Sequence, residues 1–157
     1  MRSALALCIA LLTSTSVLAA GGTNVSGAIT ANTTWTTSGS PYTVTGTVTV
    51  NATKTLTIQA GVTVKFNAGT SLVVNGILSA VGTSSKKIIF TSSAATPAPG
   101  NWSRIDFNST GTASQLTWAT VSYGGASGDE IHITNGTLNF NNVTVFTFSG
   151  TVLLLSM

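Results

Sequence analysis

The sequence predicts an all-β solenoid, a parallel β-helix with coils of about 22–24 residues. Three observations predict it. The first is a shortage of charge: of 157 residues, 6 are Lys or Arg and 3 are Asp or Glu, a charged share of 6%. That is about a quarter of the level usual in soluble domains. Ser and Thr, about three residues in ten, stand in its place beside an ordinary 43% of hydrophobic residues. A helical bundle or coiled coil needs Glu, Lys and Arg on its exposed faces. Charge-driven disorder needs high net charge and low hydrophobicity. Phosphate recognition needs a basic patch, and the few cations are scattered, so nucleic acid is excluded as a partner. The net charge of +3 reflects a lack of acids, not a basic surface.

The second observation is a repeat of eight. From Val48 onward, apolar pairs recur as Val48/Val50, Leu56/Ile58, Val64/Phe66, Leu72/Val74, Ala80/Gly82 and Ile88/Phe90. Each pair has period two, the mark of a short strand with one buried face. Turn residues such as Ala60-Gly61, Asn67-Ala68-Gly69 and Asn75-Gly76 separate them. Units of eight allow coils of 16 or 24 residues, and this half of the chain does not choose between them.

The third observation chooses. Leu116, Trp118, Val121 and Tyr123 are followed 22 positions later by Leu138, Phe140, Val143 and Val145. Ile131 and Ile133 are followed at the same spacing by Leu153 and Leu155. A coil of three short strands accounts for this offset, whereas hairpin-linked antiparallel strands leave it unexplained.

The elements follow in chain order. Residues 1–19 read as a signal peptide: Met1-Arg2, an apolar run from Ala4 to Leu12, and small residues before a cut near Ala19. The apolar run is about half the ~20 residues of a membrane span. The only cysteine, Cys8, lies inside it, and Leu7 is too large to precede a lipidated cysteine. The mature chain is therefore expected at the cell surface or secreted, without disulfide, lipid anchor or membrane span. Residues 20–41 are expected to form an N-terminal capping segment, with Ile29 and Trp35 as its apolar contacts. Coils then fill 42–157, with loops bulging at 91–100 and 124–129. Trp118 reads as core, being in phase with Leu116. Val152 to Leu155 takes the next strand position, and the coil it opens is incomplete and uncapped. Such an end belongs either to a piece of a longer protein or to a surface for head-to-tail self-association.

From Asn32 to Phe107 the chain resembles secreted and cell-surface right-handed parallel β-helix repeat proteins of bacterial type. Carrying the resemblance are Thr33-Thr34-Trp35, Ser40-Pro41-Tyr42-Thr43-Val44, Leu56 through Phe66, Leu72 through Leu78, Ile88 through Ser92 and Pro99-Gly100-Asn101-Trp102; Leu116 to Gly125 continues it. The resemblance implies a right-handed, single-stranded parallel β-helix. It also implies a stalk or repeat region of a surface protein, in some cases beside carbohydrate-active domains.

Residues able to carry chemistry are few. If Ile105/Phe107 and Ile131/Ile133 are equivalent strands, outward Asp106 lies beside His132 and Arg104 beside Glu130. This is either a small acid–base group or two charge pairs on a sheet surface, and the second reading is preferred because no second carboxylate or nucleophile joins it. Arg104, Asp106 and His132 are thus the weak candidates for catalysis, and Asp129 with Glu130 the weak candidates for a metal. Trp102, assigned to the outer face or the preceding turn, either stacks on a sugar or packs the 91–100 loop against the wall. Seven Asn-x-Ser/Thr sequons occur, at Asn24, Asn32, Asn51, Asn101, Asn108, Asn135 and Asn142. No cofactor motif is legible. The favoured function is an exported, non-catalytic structural or adhesive module with a polysaccharide or glycan as partner. The alternatives are a fragment of a polysaccharide lyase or glycoside hydrolase, and a subunit of an end-to-end stacked filament.

Overall fold

The computed structural model describes residues 21–109, 113–146 and the backbone of 152–155. The signal peptide expected at 1–19 lies outside the described residues. Within them the chain winds into a right-handed parallel β-helix of about five turns.

Thirteen strands form one continuous sheet. They are β1 (Thr23–Ile29), β2 (Thr33–Trp35), β3 (Tyr42–Val50), β4 (Thr55–Ile58), β5 (Thr63–Phe66), β6 (Leu72–Val74) and β7 (Ile77–Val81). After these come β8 (Ile88–Ser92), β9 (Ile105–Asn108), β10 (Ser114–Ser122), β11 (Ile131–Asn135), β12 (Leu138–Phe146) and β13 (Val152–Leu155). The strands pile into three stacks. The first is the end of β1, the end of β3, β6, β9 and β11. The second is β2, β4, β7 and the opening halves of β10 and β12. The third is the start of β1, the start of β3, β5, β8 and the closing halves of β10 and β12. Every pairing among β1 to β12 is parallel, so each coil lends its hydrogen-bonding edges to the coils above and below.

The apolar pairs are the reason the coil closes. Val48, Val50, Leu56, Ile58, Val64, Phe66, Leu72, Val74, Ile88 and Phe90 are all at most 1% exposed, and the intervening Thr and Lys residues face out. Burying one such side chain is worth about 1.5–3 kcal/mol, so an interior filled by every second residue is what sustains the solenoid. The expected pair Ala80/Gly82 is corrected to Leu78/Ala80, both 0% exposed. Gly82 instead begins the connection to β8, where its N–H donates to the Thr117 carbonyl at 2.8 Å and a Cβ would meet the Trp118 carbonyl oxygen at 2.5 Å.

The coil spacing is not uniform. It is 23 residues at Thr33/Leu56, 22 at Tyr42/Val64, 24 at Val48/Leu72 and 33 at Leu72/Ile105, where the long loop after β8 intervenes. In the last coils Leu116 lies on Phe140 and Val121 on Val145, an offset of 24 and not the expected 22. The reason is a single-residue corner. Trp118 turns the chain from the second to the third stack at φ +46°, and Asn142 does so one coil later at φ +54°. That residue drops out of the alternation, so Ala119 and not Trp118 enters the core (1% exposed). Trp118 is half-buried and outside the core cluster, which corrects its assignment as core.

In the N-terminal segment, β1 and β2 contribute one layer to each stack, and Trp35 stacks on Tyr42 with ring centroids 4.8 Å apart. The C-terminal strand also differs from expectation. Val152 to Leu155 does not lie on β11. It runs antiparallel against Val143 to Phe146, at the edge of the third stack, which corrects the parallel strand position expected for it. An open strand edge accepts an antiparallel partner as readily as a parallel one.

Candidate functional site on the first stack

The outer face of the first stack changes character along the axis. Its central outward row runs Thr49, Val73, Asp106, His132, in register from β3 through β6 and β9 to β11. The neutral coils thus give way to a coil bearing a carboxylate and then to one bearing an imidazole. Asp106 and His132 are direct partners on neighbouring strands, as the sequence reading expected.

The charges pair differently from that reading. Arg104 and Asp106 lie two residues apart on one side of β9, and Arg104 Nε donates to Asp106 Oδ1 at 2.8 Å. These side chains are 27% and 16% exposed. His132 Nδ1 lies 3.3 Å from Asp129 Oδ2, with the two side chains 39% and 66% exposed. Glu130 does stand opposite Arg104 along the backbone, since the Ile105 N–H donates to the Glu130 carbonyl at 2.9 Å. Its side chain is 4% exposed, so Glu130 is a buried acid. This separates the two candidate metal ligands: Asp129 faces solvent while Glu130 is buried. Neighbours so divided do not form one oxygen cage. Among the described residues no group of three or more His, Cys, Asp or Glu converges on a point.

Two connections border this face, the loop between β8 and β9 and the loop between β10 and β11. They are bound edge to edge. The Gly100 N–H donates to Gly124 (2.7 Å), Asn101 to Tyr123 (3.0 Å), Gly125 to Ser103 (2.8 Å) and Ala126 to Trp102 (3.1 Å). Trp102 is the wedge beneath them. It is 0% exposed, its ring stacks on Phe66 at 4.0 Å, and its Nε1–H donates to the Ser122 carbonyl at 2.9 Å. A Trp with no exposed surface offers no platform to a sugar, and Trp102 as a ligand-binding residue is corrected. Trp102 precedes β9 in the turn, one of the two places the sequence allowed it, and packs the 91–100 loop against the wall.

Sequence reasoning missed the Asp129–His132 contact, which depends on the curl of the loop before β11. The Arg104–Asp106 pair was within reach of it, because residues i and i+2 of a strand share a face. Chemically the cluster is made of two separate pairs and one buried acid. Asp106 is held by a guanidinium, Asp129 lies against the imidazole, and the third acid is inside.

A parallel β-helix of neutral rows, with one small ionic cluster on an outer sheet face, defines the class. Within it, the family model for the pectate-lyase-like β-helix domain matches residues 27–148, and the chain belongs to that family. No curated protein and no solved structure gives a significant match. Family membership points to a polysaccharide-related role.

Proposed function

We propose that the protein is an exported, non-catalytic β-helix module, a cell-surface or extracellular structural or adhesive element that binds polysaccharide. The observation that carries this reading is the outward row of the second stack. Thr34, Thr57, Ser79, Gln115 and Asn139 stand in register over five successive strands. Hydroxyl and amide groups repeat there about every 4.8 Å with no charge among them. Such a row hydrogen-bonds the hydroxyl groups of a sugar polymer without having to strip a fixed ion of water. The close pairing of Asp106 with Arg104 supports the non-catalytic part, since acid–base chemistry on a glycosidic bond uses a carboxylate or imidazole free to take or give a proton.

The test is retardation of the secreted chain in gels containing polysaccharides, run beside an assay for newly released reducing or unsaturated ends. Retardation without release is the expected result. Mass determination of the exported form tests the location, with a mature N-terminus at or next to Ala20.

One observation favours a second reading, a piece of a polysaccharide lyase or glycoside hydrolase: Asp106, His132 and Arg104 do meet on one face. Turnover abolished by Asp106→Ala establishes it and displaces the first.

A further inference from the structure

We propose that the corner between the second and third stacks, opposite the ionic cluster, is a site for an anionic glycan, built on Trp118, Lys86 and Lys87. This rests on the reading that the protein binds polysaccharide and names where, and with what charge preference, it does so.

The first observation is the residue at the corner. Thr117 lies on Asn141 and Ala119 on Val143, so Trp118 and Asn142 occupy the same place in successive coils. Both adopt a left-handed backbone, at φ +46° and +54°. Asn tolerates that conformation, whereas for a bulky residue it is an outlier, and such outliers gather at functional sites. Core burial does not repay the strain. Trp35 and Trp102 are 4% and 0% exposed inside the solenoid, while Trp118 is half-buried and outside the core.

The second observation is what flanks it. Of the four exposed large hydrophobic residues among those described, two border this corner: Val81 (43%), in register with Thr117, and Ile89 (39%), in register with Thr120. An apolar surface interrupted by hydroxyls is the surface that the C–H face of a pyranose ring covers, with an aromatic ring as its anchor.

The third observation is charge. Ile88 lies on Ala119, which sets Lys87 alongside Trp118. Lys86 closes the loop through paired hydrogen bonds with Thr83, each 3.1 Å, and a third from its N–H to Thr83 Oγ1 at 3.0 Å. Both lysines are exposed, and neither has an ion-pair partner among the described residues. Asp106, Asp129 and Glu130 all belong to the first stack and the loop leading to it. Two exposed lysines on the loop at this corner, without an ion-pair partner among the described residues, favour a carboxylate-bearing sugar over a neutral one.

The experiment compares binding of the exported chain to alginate, a polyuronate, and to dextran, a neutral polymer. Trp118→Asn installs the residue that the next coil carries at this place. It is expected to hold or raise the unfolding midpoint while weakening alginate binding about tenfold or more. Lys86→Gln/Lys87→Gln, both on an exposed loop, is expected to weaken alginate binding and flatten its salt dependence. Alginate affinity within about twofold of the parent in both variants overturns the proposal. Parent protein that binds dextran as well as or better than alginate overturns it too, yet leaves polysaccharide binding standing. Parent protein that binds no polysaccharide removes both.

Discussion

Replacing Trp102 tests whether the two bordering loops are held down by one buried ring. Trp102→Ala removes a side chain with no exposed surface, at a cost of about 3–5 kcal/mol. Partial collapse does not relieve it, because Gly124 lies on the ring face, where a Cβ would stand 3.0 Å from Cζ2, and Phe66 stacks on the other side. The Ser122 carbonyl also loses its indole donor, and an unsatisfied buried acceptor costs about 1–3 kcal/mol. These contributions overlap, and a total near 5 kcal/mol is expected. Trp102→Phe keeps the stack and loses mainly the hydrogen bond, for about 1–2 kcal/mol. With roughly 3–5 °C of midpoint per kcal/mol in a domain of this size, the alanine variant should melt about 15–25 °C lower and the phenylalanine variant about 3–10 °C lower. Thermal unfolding followed by far-UV circular dichroism reads both. An alanine variant shifted by less than about 1 kcal/mol refutes the wedge, as does a phenylalanine variant that suffers equally.

Three further outcomes follow from local geometry. At Gly76 a Cβ would collide with the carbonyl oxygens of Lys54 and Asn51, so Gly76→Ala should lower the urea midpoint by at least about 2 kcal/mol equivalent. Thr53 sits exposed at φ +66° in the turn before β4, and Thr53→Gly should gain up to about 1 kcal/mol in the same assay; a loss contradicts the left-handed turn. Asp106→Asn should cost no more than about 1 kcal/mol, since its bridge to Arg104 is partly solvated, and the difference should shrink in about 1 M salt. A salt-independent loss assigns Asp106 a role other than pairing.

The architecture was open to sequence reading wherever alternation is unbroken. Val48/Val50, Leu56/Ile58, Val64/Phe66, Leu72/Val74 and Ile88/Phe90 stand inside as their period demands, because one buried face per short strand leaves no other choice. It was closed to such reading wherever a corner uses an odd residue. Trp118 takes one position without a partner in the ladder, which shifts the phase and turns an apparent offset of 22 into 24. The same holds for the cluster. The Asp106–His132 register follows from pairing Ile105 with Ile131, but the burial of Glu130 and the curl that brings Asp129 to His132 are set by loop backbone, which carries no period. β13 runs antiparallel to β12, and a parallel repeat is blind to strand direction.

The three stacks also fix how the module answers to force. Their ladder hydrogen bonds point along the long axis, so tension between the two ends loads the junctions between coils one after another, in series. The weakest junction yields first, and its neighbours stay shut until the slack is taken up. A freed coil of 24 residues releases roughly 80 Å of chain. Each event therefore dissipates work over a long extension at modest tension, and the rod gives way in steps instead of snapping.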